Sequence, residues 1–232
     1  MNIKIRKSEE RGRTKLDWLD SKHGFSFGRY SNPSNMNFGK LIVFNDDIIS
    51  PGKGFGAHPH ENAEIITLVL NGSLKHEDSQ GNKGIIKAGE AQRISAGTGI
   101  WHSEYNNSKE ENIRLLQIWL EPKEINAKPS YEQKSLKIEN NKINKIISND
   151  TKLGLIYINQ DAEFFLANLD KGIKINHNIK SYGNIYLFVI NGSISIDKMD
   201  LLEGDSAEIS DLKILTINSK EKSSVLLIEI AK

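Results

Sequence analysis

The chain contains no cysteine. Disulfide stapling and thiolate ligation are therefore both excluded, and any bound metal must sit on nitrogen and oxygen donors. That donor set favours iron, manganese, nickel, copper or catalytic zinc over structural zinc. No run approaches the 18 or so apolar residues of a membrane span, and the N-terminal Met1-Asn2-Ile3-Lys4-Ile5-Arg6-Lys7 lacks the apolar core of a signal peptide. A cytoplasmic protein without a membrane partner is expected. There is no excess of either charge, with 31 Lys and Arg against 30 Asp and Glu. Such a balance supplies no global attraction to nucleic acid, so direct nucleic-acid binding is not expected.

Long helical periodicity is also missing from residues 35–120. In its place, short β-branched runs (Lys40 to Phe44, Ala63 to Leu70, Gly84 to Lys87, Leu115 to Leu120) alternate with turn signals. Those signals are Asn45-Asp46-Asp47, Asn71-Gly72-Ser73, Gly81-Asn82, Ala88-Gly89 and Gly97-Thr98-Gly99. This spacing predicts an all-β sandwich or barrel. Glu121-Pro122 to Pro129-Ser130 reads as a connector. Residues 131–150 resist assignment, and strand-like runs resume at Leu153 to Ile158 and Glu163 to Leu169.

The second half repeats the first. Ile66-Thr67-Leu68-Val69-Leu70-Asn71-Gly72-Ser73-Leu74 matches Tyr186-Leu187-Phe188-Val189-Ile190-Asn191-Gly192-Ser193-Ile194, and Ala88-Gly89-Glu90-Ala91 matches Glu203-Gly204-Asp205-Ser206. Each Asn-Gly is expected to form a tight turn between strands. Two such units predict a duplicated barrel, with lobes at 1–130 and 131–232.

Of six histidines, four fall between residues 58 and 102. Residues two apart on a strand share a face. His58-Pro59-His60 therefore offers two imidazoles to one metal, with Pro59 restricting the strand to an edge or a bulge. His102-Ser103-Glu104 offers an imidazole and a carboxylate in the same geometry. Three neutral nitrogens and one anionic oxygen suit a divalent ion such as Fe(II), Mn(II) or Ni(II), with open positions for water, O₂ or substrate. Glu64 competes with Glu104 for the fourth place: it shares strand parity with His60 but lies about 13 Å along a regular strand, and a bulge near Glu61-Asn62 would be needed to bring it back. His76 either lines the pocket or bonds across strands, while His23 and His177 are expected to be structural or on the surface. In the Asn-Gly register, His58 and His60 fall opposite Asn178 and Lys180, Glu64 opposite Asn184 and His76 opposite Ile196. In the Gly-acid register, His102 falls near Ile217. The second lobe is thus expected to be metal-free.

Gly52-x5-His58-x-His60-x3-Glu64 followed by Gly72 resembles the first cupin motif. Gly89-x5-Ser95-x-Gly97-x4-His102-x3-Asn106 resembles the second, with Ser95 where most cupins have proline and a longer gap before the histidine. That departure is similar to the pirin family. The resemblance extends through Glu10-Arg11-Gly12, Trp18-Leu19-Asp20-Ser21, His23-Gly24-Phe25-Ser26-Phe27, Asn45-Asp46-Asp47, Gly54 to His60, His76 to Asn82, Ser95 to Glu104 and Pro129 to Gln133. Beyond residue 140 it rests on the degenerate repeat.

The resemblance implies a bicupin with one divalent metal, Fe(II) first and Ni, Mn, Cu or Zn as alternatives. It places His58, His60, His102 and Glu104 as ligands and moves Glu64 to the surrounding shell. It implies quercetin 2,3-dioxygenase-like oxidoreductase activity, in which a flavonol or related aromatic hydroxy-ketone meets O₂ and carbon monoxide is released. Glu104 would take the substrate proton, with Phe25, Phe27, Phe55 and Trp101 as candidate apolar lining and His76 nearby. The alternative implied is a non-catalytic iron protein whose oxidation state regulates a protein partner. A cupin isomerase or sugar-binding protein without redox chemistry is a third reading.

Overall fold

The computed structural model describes residues 2–179 and 183–231. The first half contains β1 (Asn2–Arg6), β2 (Gly12–Lys15), β3 (Leu19–His23), β4 (Leu41–Ile49), β5 (Gly54–His60), β6 (Glu64–Asn71), β7 (Ser73–Asp78), β8 (Lys83–Lys87), β9 (Glu90–Ser95), β10 (Ile100–Asn106) and β11 (Ile113–Leu120). Then follow β12 (Ser130–Ser135), β13 (Asn144–Ser148), β14 (Ile156–Tyr157), β15 (Ala162–Leu169), β16 (Lys174–Asn178), β17 (Asn184–Asn191), β18 (Ser193–Ile196), β19 (Met199–Leu202), β20 (Ser206–Ser210), β21 (Ile214–Ser219) and β22 (Ser223–Ile230).

The duplication is explicit in the strand order. The first lobe pairs a sheet containing β9-β6-β11-β4 with a four-stranded sheet β5-β10-β7-β8. The second repeats it as β20-β17-β22-β15 and β16-β21-β18-β19. Each lobe is a jelly-roll-like cupin sandwich, so the architecture is all-β. The two halves also exchange strands: β1 pairs with β20 of the second lobe, and β12 pairs with β9 of the first.

The two larger sheets lie back to back. Ile66 and Leu68 on β6 and Leu116 and Ile118 on β11 share one buried cluster with Tyr186 and Phe188 on β17 and Leu226 and Ile228 on β22. Phe44 is the hinge of this layer, with ring centroids 4.8 Å from both Tyr186 and Phe188. The alternate residues of the second lobe, Ile185, Leu187 and Val189, fill that lobe's own core. Both faces of these central strands are covered, so their sequences run as nearly unbroken apolar stretches without alternation.

Two expected turns have different roles. Asn71-Gly72 and Asn191-Gly192 do not close hairpins, because the strands they join lie in opposite sheets. They are corners. Gly72 has φ 81° and Gly192 φ 77°, and a Cβ on Gly192 would lie 2.4 Å from the Lys222 carbonyl oxygen. Asn45-Asp46-Asp47 is not a turn at all but the buried middle of β4. Its side chains find partners that no local pattern announces: His23 for Asn45 (2.8 Å) and a two-pronged Arg114 for Asp46 (2.9 Å each). The Leu153 to Ile158 run shrinks to the two residues of β14, behind a 3-10 turn at Thr151–Leu153.

Candidate metal centre

Strand β10 alternates cleanly. Ile100, His102, Glu104 and Asn106 are buried, while Trp101 and Tyr105 are exposed. His102 and Glu104 therefore face the interior together. On one side β10 pairs with the edge strand β5, where Pro59 withholds no needed donor. His102 lies directly across from His58, Ile100 from His60, and an irregularity after His102 sets Glu104 opposite Phe55. On the other side Glu104 lies across from His76 on β7.

Three imidazoles converge. The ring centroids are 4.7 Å apart for His58 and His60, 4.5 Å for His58 and His102, and 4.8 Å for His60 and His102. Their ligand atoms all lie within 4.8 Å of one another. Nδ1 of His58 donates to the Gly56 carbonyl at 2.7 Å, which leaves Nε2 as the lone-pair nitrogen. That Nε2 faces Nε2 of His102 at 3.1 Å. Nε2 of His60 and Nδ1 of His102 are buried without any hydrogen-bond partner. Desolvation, reinforced by the neighbouring imidazoles, lowers His60 to about 4 and His102 to about 3. Both rings are thus neutral near pH 7, the state a divalent cation requires of an imidazole. Crowded imidazoles, with the buried Nε2 of His60 bonded to nothing, fit a metal.

Glu104 stands next to this trio rather than within it. Its carboxylate oxygens group with His102 and His76 within 4.8 Å. Two amides hold it, Gln92 Nε2 at 2.5 Å on one oxygen and Gln117 Nε2 at 2.8 Å on the other, and the single Thr67 hydroxyl hydrogen is shared between the first oxygen at 3.2 Å and Gln117 Oε1 at 3.0 Å. These donors come from one transverse row of the sheet. His23, Asn45, Gln117, Thr67 and Gln92 lie opposite one another across β3, β4, β11, β6 and β9. Apolar rows flank this polar one, including Val43, Trp119, Ile65 and Ile94. A carboxylate with a directed amide donor on each oxygen is strongly oriented.

The remaining sequence candidates separate. Phe55 lines the cavity in front of the histidines and meets Trp18 edge-on at 5.3 Å. Phe27 lines it too, edge-on to Trp119 at 5.6 Å. His76 lies fully buried beside His102, stacked on Tyr131 at 4.6 Å and bonded to Asp78 at 3.2 Å. Glu64 does not join the site. Its parity with His60 is broken by the turn at Asn62 (φ 47°), and it shares the interlobe face of β6 with Ile66 and Leu68, where it accepts from the Asn159 backbone at 3.1 Å. Trp101 alternates with His102 and points outward, 55 % exposed. Phe25 packs on Tyr186 in the interlobe layer and not in the cavity.

Residues that sequence reasoning passed over do much of the shaping. Trp119 packs on His60 at 4.7 Å, and Gln117, Gln92 and Thr67 hold Glu104. A signal for two of them was present: a single polar residue inside an apolar strand, as in Ile65-Ile66-Thr67-Leu68-Val69 and Leu115-Leu116-Gln117-Ile118-Trp119. The cavity they border has a volume of about 680 Å³. Trp18, Leu16, Leu19, Phe27, Phe55 and Trp119 give it an apolar wall, and His58, His60, His102 and Glu104 sit at its polar end.

The second lobe has different residues at the corresponding places. Its ladder counterpart of His58–His102 is His177–Leu215, and that of His76–Glu104 is Ile196–Ile217. The expected alignment of His58 with Asn178 is thus displaced by one residue, and that of His102 with Ile217 by two. Counting from a corner glycine passes through loops of unequal length, whereas the ladder does not. Lys180, expected opposite His60, lies outside the described residues. His177 is buried and bonds Glu229 at 2.5 Å, while Leu215, Ile217 and Ile196 belong to the apolar core.

Comparison with known proteins agrees with this architecture. Residues 4–120 match the pirin family, and residues 145–230 match the quercetinase C-terminal cupin domain. The chain is 40 % identical over 228 residues to the quercetin 2,3-dioxygenase of Escherichia coli strain K12, covering 98 % of each protein. The crystal structure of YhhW from Escherichia coli superposes with a TM-score of 0.95 at 40 % identity, covering 99 % of this chain and 97 % of that one. That of the bacterial pirin YhhW in complex with nickel(II) gives 0.94 at 39 %, covering 99 % of both.

Proposed function

The chain belongs to the pirin family, and from that premise we propose that it is a metal-dependent dioxygenase of the quercetin 2,3-dioxygenase type. It opens the heterocycle of a quercetin-type flavonol with O₂ and releases carbon monoxide. The observation that carries this reading is the junction of two features: three convergent imidazoles beside an oriented carboxylate, and a largely apolar cavity of about 680 Å³ directly in front of them. That volume is in the range of small-molecule sites, whereas a purely regulatory metal needs no such chamber. The relatives named for this activity and the nickel-bound pirin support the same assignment.

His58, His60, His102 and Glu104 would hold one divalent ion, iron being our first choice and nickel, manganese, copper or zinc the alternatives. The ion would act as a Lewis acid, lowering the pKa of a substrate hydroxyl bound to it. Glu104 takes the proton of that hydroxyl. Gln92, Thr67 and Gln117 keep its carboxylate aimed while the proton moves. Phe27 and Trp119, set edge-on to each other, and Phe55 and Trp18 form flat walls that orient a planar ring system and exclude water. We retain the division into lobes at 1–130 and 131–232 in this proposal, with the site in the first and strands β1 and β12 exchanged. Flavonol and O₂ are then the partners.

The test is anaerobic loading with each of Fe(II), Ni(II), Mn(II), Cu(II) and Zn(II), followed by quercetin in aerated buffer. Quercetin loss with carbon monoxide release, dependent on metal, is expected. A loaded protein that leaves quercetin, O₂ and carbon monoxide unchanged would contradict the proposal.

A further inference from the structure

Four of the buried polar atoms without a hydrogen-bond partner, among the described residues, belong to residues that line the cavity: Nε2 of His60, Nδ1 of His102, Nε1 of Trp119 and Oδ1 of Asp47. The two imidazoles fall within the metal-binding reading, and the Trp119 indole packs on one of them. Asp47 has no such role. It sits in the middle of β4, 2 % exposed, with Ser21 across the ladder on one side and Leu115 on the other. The next residue of that row is Val69. Leu19, Ile49, Val69 and Leu115 form an apolar cluster around this part of the sheet. A leucine at position 47 would extend that cluster and bury further apolar surface. It would also avoid desolvating a carboxyl group. The neighbouring polar residues are satisfied, since Nδ1 of His23 meets Asn45 at 2.8 Å and Nε2 of His23 meets Thr14 at 2.8 Å. Asp47 alone of this group keeps an open oxygen.

We propose that Asp47 is a specificity-determining residue: its carboxyl group hydrogen-bonds a second hydroxyl of the aromatic substrate, distinct from the one presented to the metal end. The cavity therefore selects a polyhydroxylated aromatic over its deoxygenated analogue. Burial raises Asp47 to about 7, so near neutrality its carboxyl is able both to donate to and to accept from such a hydroxyl. A site built around a buried polar group rejects the analogue that leaves it unpaired. This inference rests on the flavonol reading of the cavity and narrows it.

The experiment uses nickel-loaded full-length protein without oxygen, so that binding is read apart from turnover. Tryptophan fluorescence gives Kd for quercetin and for flavonols that each lack one hydroxyl other than the 3-hydroxyl. In the wild type one analogue is expected to bind about 10- to 100-fold more weakly than quercetin. In Asp47→Leu, quercetin should weaken to the level of that analogue and the ratio should fall to about one, with nickel content unchanged. Asp47→Asn, nearly isosteric, guards against a folding defect and should retain part of the ratio. If both variants discriminate among the analogues as the wild type does, Asp47 does not read the substrate. If the wild type binds no flavonol at all, the flavonol reading falls and this inference with it. The first failure leaves the flavonol reading standing; the second does not.

Discussion

His58 and His102 present their Nε2 atoms to each other at 3.1 Å, and the lone pair on the His58 side is fixed because its Nδ1 hydrogen is given to the Gly56 carbonyl. Two imidazole nitrogens so placed repel unless a proton or a cation lies between them. Burial and its neighbours hold the imidazolium form of His102 near 3, so the one hydrogen of the neutral ring bridges the gap only as the Nε2 tautomer, donating to His58. A divalent ion takes the place of that hydrogen for both rings and also meets the unpartnered Nε2 of His60.

Removing a ligand should therefore remove the metal. After anaerobic loading with Fe(II) or Ni(II), metal analysis should find about one ion per chain in the wild type and less than about a tenth of that in His58→Ala or His102→Ala. Glu64→Ala should stay near one, because Glu64 lies on the opposite face of β6 with Asn159. Loss of metal from Glu64→Ala with full retention in Glu104→Ala would reverse the assignment.

Gln117→Leu tests the support of Glu104. It deletes the donor at 2.8 Å and leaves the ligands themselves untouched. Loss of an outer hydrogen bond of this kind costs about 10- to 100-fold in metal affinity or activity. The effect should appear in kcat or in the metal Kd, with the midpoint of thermal unfolding little altered. Wild-type values for both would show that the donor row does not tune the carboxylate.

Asp47 should leave a signature in the pH dependence of stability. Its carboxyl group is raised to about 7, chiefly by desolvation, from an ordinary value of 3.8. Between those two values the unfolded chain releases this proton while the native chain keeps it. The contribution of Asp47 to stability therefore falls as pH rises, and the penalty is absent below about pH 4 and complete above about pH 7. Asp47→Asn abolishes the titration. Relative to wild type it should gain about 2–4 kcal/mol between pH 4 and pH 8, read by denaturant unfolding at each pH. A constant difference across that range would contradict the raised value.

Arg114 joins the lobes. It grips Asp46 with two bonds of 2.9 Å, Glu203 at 3.0 Å and the Ile190 carbonyl at 3.2 Å. Arg114→Met leaves Asp46, 8 % exposed, without its partner. A loss of about 2–4 kcal/mol in unfolding free energy is expected, below that of a fully buried pair because the guanidinium is partly solvated. Glu203→Gln, at the exposed end, should cost under about 1 kcal/mol.

The histidine pairs were legible because strand parity is a local property. His58 with His60, and His102 with Glu104, needed only a period of two. The same parity, applied to Trp101 between Ile100 and His102, would have turned that residue outward. Glu64 misled because parity was carried across Asn62, where the chain leaves one strand for the next. Asn45-Asp46-Asp47 has turn composition, yet it lies in mid-strand, where His23 and Arg114, far off in sequence, satisfy Asn45 and Asp46. The Asn-Gly corners carry a correct backbone signal, a positive φ at glycine, but which sheet receives the next strand is decided by the whole sandwich. The duplicated order of strands was visible in the repeat. The exchange of β1 and β12 was not, since a terminal strand records nothing in its sequence of the edge it joins.

The central claim is that the three imidazoles and Glu104 carry a metal-dependent cleavage of a flavonol by O₂. The most direct test is stoichiometry: metal-loaded protein, quercetin, an oxygen electrode and carbon monoxide detection in one closed vessel. The account predicts one O₂ consumed and one carbon monoxide released per quercetin, abolished in His58→Ala. Oxygen uptake without carbon monoxide, or turnover that persists in His58→Ala, would contradict it.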